Sequence, residues 1–489
     1  MIALRLTEFV DALGGSLLLP PGADSDAALA STVVDGSVQT NSSLVMPGSI
    51  FFALRGAVTD GHLFIADAVE RGAALVIAER PVETAVPVLV VDDGVLALAD
   101  LARLVVARVR AGGRLRVVGI TGSNGKTTTK NLLRAILEAE GPTVAPTGSF
   151  NNHVGAPITM LQVDDTTEYL VSEMGASGEG EIARLVGIAM PDISVVLKVG
   201  LAHAGEFGGI EATQRAKSEI VRELPATAVA VLNADDGRVS AMAELTAARP
   251  LWFGLSPSAE VRADDVRATA SGTRFTLVVP SADGHLARHE VALRILGEHH
   301  VSNALAALAV ARELGVPLDR AITAIEAVPR AERWRMEVLQ PGGGITVIND
   351  AYNASPDSTA AALKTLAQIL EPGQRSVAVL GEMAELGEFA QEEHDRLGRL
   401  VVRLNIGKLV VVGHGARHIH MAAGLEGSWD GESVFVPDLD AAYDLLRGEL
   451  RTGDVVLVKS SKSAGLRFLG DRIGGVGTVD GPGSAGAAW

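Results

Sequence analysis

Residues 121–128 read Thr121-Gly122-Ser123-Asn124-Gly125-Lys126-Thr127-Thr128. Before them runs a short Val- and Ile-rich stretch, 115–121. After them comes a segment of helical period, 126–140, with Leu132, Leu133, Ile136 and Leu137 on one face. A strand, a glycine-containing turn and a helix in that order form a phosphate cradle. The glycines let the backbone fold tightly with its N–H groups turned inward, and the helix N-terminus adds partial positive charge. Lys126 is then a point charge for the β- and γ-phosphates, and the Thr127 hydroxyl a ligand for Mg²⁺. Gly122, Ser123, Asn124, Gly125, Lys126, Thr127 and Thr128 are the candidate nucleotide contacts. The strict pattern has glycine at 120, where this chain has Ile120, so the loop is a shortened variant. A plain helix-capping turn is the alternative, but a lysine and two threonines opening a helix after a Val-rich strand favour a nucleotide.

Outward from this loop the same alternation continues. Buried-strand candidates at 169–171, 193–199 and 228–232 are separated by helical patterns, which predicts a parallel sheet covered on both faces. Between 261 and 295 polar and apolar residues alternate, predicting an antiparallel segment at one edge, and 301–314 is an Ala-rich helix. From about residue 330 a second α/β unit is expected, with 345–348, 376–380, 408–412 and 454–458 as strands and 358–370 between them. Before Gly112-Gly113, a hinge signal, short β-rich pieces (49–54, 75–78, 87–91) mix with helical stretches (66–71, 95–110). The tail from 474 is rich in Gly, Ser and Ala and is expected to be flexible.

Composition bounds the function. At 489 residues the chain exceeds one hydrophobic core. With 47% apolar and 21% charged residues it is an ordinary globular chain, and with 4% aromatics its cores must be aliphatic. The net charge of −17 argues against nucleic-acid or anionic-membrane partners, whose capture needs basic patches. Cysteine is absent, which excludes disulfides and Cys-ligated zinc. The N-terminus carries Glu8 and Asp11 and lacks the layout of a signal peptide. Asp100, Arg103 and Arg108 interrupt the most membrane-like stretch, far short of the ~20 apolar residues a spanning helix needs. A soluble cytoplasmic enzyme with no membrane anchor is the expectation.

The loop resembles that of the Mur ligases and the folylpolyglutamate synthases, and further segments extend the likeness over nearly the whole chain. Thr147 to Pro157, with its Phe150-Asn151-Asn152 triplet, is similar to the segment facing the UDP-sugar peptide in the D-alanyl-D-alanine-adding branch of the Mur ligases. Ser172-Glu173-Met174-Gly175 matches a Mg²⁺-binding segment, and a carboxylate at a strand's C-terminal end does point into the ligand crevice of an open α/β sheet. His203 matches a second metal ligand. In the helix expected over 211–223, Lys217 matches a lysine carbamylated by CO₂. A free ammonium would repel Mg²⁺, a carbamate would bind it, and burial favours the neutral amine that must react; without the resemblance Lys217 reads as a solvated charge. Asn303, opening the Ala-rich helix, matches an adenine contact. In the third region Arg335 matches a γ-phosphate contact, Asp350 a ribose contact, and Tyr352 and Asn353 base contacts. Residues 47–56 with Asp60 and His62 resemble the uridine-nucleotide domain, which the folate-type enzymes lack.

The resemblance implies three α/β domains: a small UDP-binding domain (1–112), a central P-loop ATPase-like parallel sheet with an antiparallel edge (113–329) and a C-terminal Rossmann-like domain (330–473), followed by the flexible tail (474–489). It implies an ATP-dependent amide ligase with two Mg²⁺ ions and a carbamylated Lys217. The substrates would be UDP-N-acetylmuramoyl-tripeptide and D-alanyl-D-alanine, and the enzyme a monomer. Lys126, Lys217, His203 and Arg335 would be catalytic. Thr127, Glu173, His203 and Lys217 would hold metal. Ser42, Asp60, His62, Asn151, Asn152, Lys459 and Ser461 would meet substrate. Three positions depart from the family pattern: Ser43 where an Asp-Ser-Arg-like triplet has arginine, Lys198 where asparagine is usual, and Ser460 within Lys459-Ser460-Ser461 where Lys-Gly-Ser is usual. The rival readings are a Mur ligase adding a different amino acid and a non-catalytic UDP-sugar-binding scaffold; the Phe150-Asn151-Asn152 triplet and residues 349–356 speak against the first, and the three departures are what would support the second.

Overall fold

The structure is a computed structural model that describes residues 1–21, 31–56, 58–201, 208–281, 283–330, 332–426 and 432–476. His203 therefore lies outside the described residues, as does the tail beyond residue 476. Three α/β units follow one another, each on its own sheet.

The first sheet has five strands in the order Ser16–Leu18, Val88–Val90, Leu75–Ala78, Ile50–Phe52, Val38–Gln39. Only its first pair is antiparallel. The helix Gly94–Ala111 leaves this unit capped by Asp93, whose carboxylate accepts the Val95 and Leu96 N–H groups. Its apolar face belongs to a core shared with the central unit. At Gly113 (φ +83°) the chain turns, while Arg110 donates to the Met190 carbonyl and the Asp192 carboxylate. The hinge signal at Gly112-Gly113 therefore marks a turn beside a tied helix.

The central sheet has nine strands. Thr143–Val144, Tyr169–Glu173, Arg116–Thr121, Ile193–Val196, Val229–Asn233 and Arg249–Gly254 run parallel in that spatial order. Val261–Thr269 continues parallel, and Gly272–Pro280 and Leu286–Leu293 add the antiparallel edge. Strand order turns around at Arg116–Thr121, so a crevice opens beyond its C-terminal end, the place where open α/β sheets bind ligands. The helix Lys126–Glu138 buries Leu132, Leu133, Ile136 and Leu137 against one face. Each such side chain contributes roughly 1.5–3 kcal/mol. The helix His299–Glu313 is buried on nearly every side, and its alanines let neighbours approach closely. That is how a chain poor in aromatics fills its core.

The third sheet has six strands in the order Glu337–Gly342, Ile345–Asn349, Asp454–Lys459, Arg375–Leu380, Lys408–Val412, Ser433–Val436. All but the first are parallel. The last strand in sequence, Asp454–Lys459, sits inside the sheet next to Ile345–Asn349. Register thus brings Lys459 and Asp350, far apart in sequence, to neighbouring strand ends. Glu337–Gly342 is an edge strand that the sequence pattern did not announce, because four of its six residues are exposed and it ends in Pro341-Gly342.

Candidate active site

A cleft of about 560 Å³ opens where the C-terminal strand ends of the central sheet face those of the third sheet. The central side contributes Ser123, Asn124, Gly125, Lys126, Thr127, Thr128, Asn151, Glu173 and Asn303; the third unit contributes Arg335, Asp350, Tyr352, Asn353 and Lys459. Residues chosen from three separate stretches of sequence thus share one cleft.

The loop folds as a cradle for physical reasons that can be named. Gly125 has φ +87° and opens the helix Lys126–Glu138. A Cβ there would lie 2.2 Å from Asn303 Oδ1, so only glycine lets the helix His299–Glu313 support the loop from behind. Ser123 ties the loop to the next strand end. Its N–H donates to the Lys198 carbonyl (2.8 Å), and its hydroxyl accepts from Gly200 N–H (2.9 Å). Lys126 donates to the Gly122 carbonyl within the loop (2.6 Å). Burial lowers its pKa, Glu173 opposes that pull, and the Arg335 charge adds to it.

Glu173 ends its strand 1% exposed. Asn151 Nδ2 donates to its Oε1 at 2.7 Å, and the Thr127 hydroxyl lies 3.4 Å from the same oxygen. The close approach of Asn151 needs Gly175, where a Cβ would fall 2.8 Å from the Asn151 amide carbon. Glu173 Oε2, Arg335 Nε, Asn124 Nδ2 and His300 Nε2 are buried without a hydrogen-bond partner. All four belong to residues lining the cleft. An acceptor beside Thr127 fits a divalent cation, and the unpartnered N–H donors fit a polyphosphate. Among the described residues no three His, Cys, Asp or Glu side chains group as a metal cage. One carboxylate and one hydroxyl, completed by phosphate oxygens and water, is the donor set Mg²⁺ commonly takes.

Lys217 is 2% exposed on the helix Ile210–Arg222. Burial first, and the Lys126 charge second, lower its pKa to about 7, with Glu219 and Glu181 opposing. A substantial fraction of that amine is therefore neutral near pH 7.

On the third unit's side, Arg335 stacks its guanidinium 4.4 Å from the Tyr352 ring centroid. It is flanked by Trp334 (φ +59°) and Met336 (φ +48°), a left-handed backbone that costs of order 1–3 kcal/mol per residue. The surroundings hold it there: Met336 N–H donates to Asp350 Oδ1 (3.0 Å), Trp334 N–H to Glu337 (2.9 Å) and Trp334 Nε1–H to Asp471. Lys459 is buried, pairs with Asp350 Oδ2 at 2.6 Å and donates to the Asn353 carbonyl. It braces residues 350–353 from within. The two units meet through Leu296, which is buried in the third unit's core, and through small polar contacts. Ser149 and Tyr352 hydroxyls share a 2.6 Å bond, Ser355 donates to Asn124 Oδ1 (3.1 Å), and Lys198 pairs with Asp357 (3.5 Å).

Other sequence candidates lie elsewhere or are internally engaged. Asn152 Oδ1 accepts from Val154 N–H (3.3 Å) and Gly155 N–H (2.8 Å) where the chain enters the helix Gly155–Met160. Ser461 is buried, its N–H on the Glu382 carbonyl. Ser42, Asp60 and His62 belong to the first unit, away from the cleft. Glu79 N–H donates to His62 Nε2 (3.0 Å), so His62 Nδ1 carries the proton and donates to Asp60 (2.6 Å). The Asp60 carboxyl is held down to about 2, chiefly by the His62 N–H.

The three departures are accommodated. Ser43 closes a turn on Asn41 Oδ1, Lys198 has Asp357 across the interface, and Ser460 is buried against Gly381. Sequence reasoning missed Lys130, His300, Asn233 and Asp236. Asn233 Nδ2 donates to the Leu197 carbonyl (2.7 Å), and Asp236 accepts from Val199 N–H (2.9 Å); together they fix the strand end that carries Lys198. Asn233-Ala234-Asp235-Asp236 follows the strand expected at 228–232, so the strand-end rule that singled out Glu173 could have found them.

Comparison with known proteins converges on one family. Residues 36–106 match the Mur ligase family catalytic domain, 120–311 the Mur ligase middle domain, and 334–462 the Mur ligase glutamate ligase domain. The chain is 45% identical to the UDP-N-acetylmuramoyl-tripeptide–D-alanyl-D-alanine ligase of Mycobacterium tuberculosis, over 97% of this chain and 98% of that one. The crystal structure of MurF from Acinetobacter baumannii superposes with a TM-score of 0.85 at 30% identity, covering 97% of this chain and 99% of that one. MurF ligase from Thermotoga maritima in complex with ADP superposes with a TM-score of 0.77 at 28% identity, covering 90% and 98%.

Two outcomes follow from the geometry. Gly125→Ala forces a side chain into the left-handed region and onto Asn303, so affinity for ADP·Mg should fall at least about tenfold by titration calorimetry. Unchanged affinity would mean that Asn303 does not support the loop. Lys198–Asp357 is partly exposed and worth about 0.5 kcal/mol or less. Asp357→Asn should therefore raise the KM for ATP no more than about threefold, and high salt should erase the difference from wild type.

Proposed function

The chain belongs to the Mur ligase family, and we propose that it is the ATP-dependent ligase that joins D-alanyl-D-alanine to UDP-N-acetylmuramoyl-tripeptide in peptidoglycan precursor synthesis, in the cytoplasm. The observation that carries this reading is the contact of Asn151, in the Phe150-Asn151-Asn152 segment, with Glu173 beside the phosphate loop. It joins a peptide-facing segment to the nucleotide cradle.

A carboxylate is a poor electrophile because its leaving group would be oxide. Transfer of the γ-phosphoryl group breaks the bond to the ADP oxygen and forms one to the tripeptide's terminal carboxylate oxygen, giving an acyl phosphate. The free amine of D-alanyl-D-alanine attacks its carbonyl carbon. The tetrahedral intermediate collapses to the amide, releasing phosphate and a proton. Two anions must approach in the first step, so the protein's task is positioning and charge stabilisation. Lys126 and Arg335 supply positive charge from opposite walls of the cleft, and the loop N–H groups orient the phosphates. Tyr352 and Asn353 face the base, Asp350 the ribose, and Asn303 and His300 close the cleft behind the loop. Thr127 and Glu173 would hold one Mg²⁺, and His203 with a carbamylated Lys217 a second; bound there, the ions neutralise phosphate charge. The buried amine of Lys217, a substantial fraction of it neutral near pH 7, supports the carbamate.

Phosphate release with ATP, Mg²⁺ and UDP-N-acetylmuramoyl-tripeptide should require D-alanyl-D-alanine. Absence of release while ADP still binds would overturn the substrate assignment. Lys126→Ala should lower turnover about 10³-fold or more with the fold intact, and retained activity would refute the phosphate-loop assignment. Lys217→Ala should lose activity and regain part of it when a short carboxylic acid is added. Full activity without added acid would remove the carbamate from the mechanism.

A further inference from the structure

Lys130 lies on the helix Lys126–Glu138, one turn beyond the phosphate-loop lysine, and is fully buried. A lysine on such a helix normally sends its charge to solvent. This one donates to the Pro146 carbonyl at 2.7 Å and the Gly148 carbonyl at 2.9 Å. Residues 145–150 belong to no helix or strand, so their carbonyls have no ladder to satisfy them and a side chain does so instead. Backbone carbonyls cannot ionise, so these bonds specify where the segment sits. That segment carries Ser149, bonded to Tyr352, and leads directly into Asn151, bonded to Glu173.

We propose that Lys130 is a positioning residue for the peptide-bearing substrate: its ammonium anchors residues 146–148 so that Asn151 is held against Glu173 and Ser149 against Tyr352. One buried cation thereby aligns the peptide-facing segment with both the metal carboxylate and the nucleotide-facing wall of the third unit. The inference rests on the reaction proposed above. A merely structural lysine would, when replaced, weaken nucleotide and peptide binding together. A positioning lysine separates them, because Lys126 and the loop N–H groups hold the nucleotide without it.

The test uses the full chain. Lys130→Met keeps the volume and removes the donors; Lys130→Gln is the milder variant if the first does not fold. The KM for UDP-N-acetylmuramoyl-tripeptide should rise at least about tenfold, with ADP·Mg affinity by calorimetry within about threefold of wild type. Lys130→Arg, which keeps charged donors, should recover most of the loss. Combined with Asn151→Ala, Lys130→Gln should add little to the single variant's effect, since both act through one contact. An unchanged peptide KM, an equal loss of ADP affinity, or multiplicative effects in the double variant would each overturn the proposal. If wild type itself shows no tripeptide-dependent phosphate release, the reaction reading has failed instead, a result the ADP titration does not depend on.

Discussion

Burying a carboxylate costs several kcal/mol unless polar partners meet it, and Glu173 is buried at the centre of this molecule's working cleft. Much of the local architecture answers that constraint. The parallel strand Tyr169–Glu173 delivers the side chain to the crevice, and Gly175 clears room for the Asn151 amide that meets one oxygen. Lys126 and Lys130 lie near enough for the Glu173 charge to oppose the loss of their own. The other oxygen has no protein partner, which leaves it for a cation. A site built this way gathers cations, loop amides and one acid within a small volume, which suits a polyphosphate and Mg²⁺.

Across the cleft the design differs. The third unit meets the central one through hydroxyls, an amide and a partly exposed ion pair, and through Leu296 and Ala268 of the central unit, which pack against the third unit's hydrophobic core. A ligase that admits nucleotide and peptide and then excludes water closes at such a seam between units. The rigidity lies inside each unit instead. Lys459 locks Asp350 and Asn353 in place, and Asp471 and Glu337 hold the left-handed backbone that presents Arg335.

Polar and charged residues that look like substrate ligands can be engaged internally. His62 has both ring nitrogens engaged, Lys459 has three acceptors, and Asn152 accepts two backbone N–H groups at the entry to a helix. Their side chains are already committed to holding the fold. Conversely Lys198, which departs from the family pattern, has a place once Asp357 is opposite it.

The nucleotide side of this protein was legible in the sequence because its information is local. Glycine spacing sets the loop conformation, hydrophobic period sets the helix behind it, and strand ends announce residues such as Glu173. The same local logic carried the parallel sheets and the antiparallel edge. It could not reach the pairings that depend on sheet register and unit docking: Lys130 with Pro146 and Gly148, Lys459 with Asp350, Lys198 with Asp357. A lysine's chemistry is the same whether it is solvated or buried; only the tertiary structure, by choosing its surroundings, decides whether it holds a phosphate, accepts CO₂ or braces a loop.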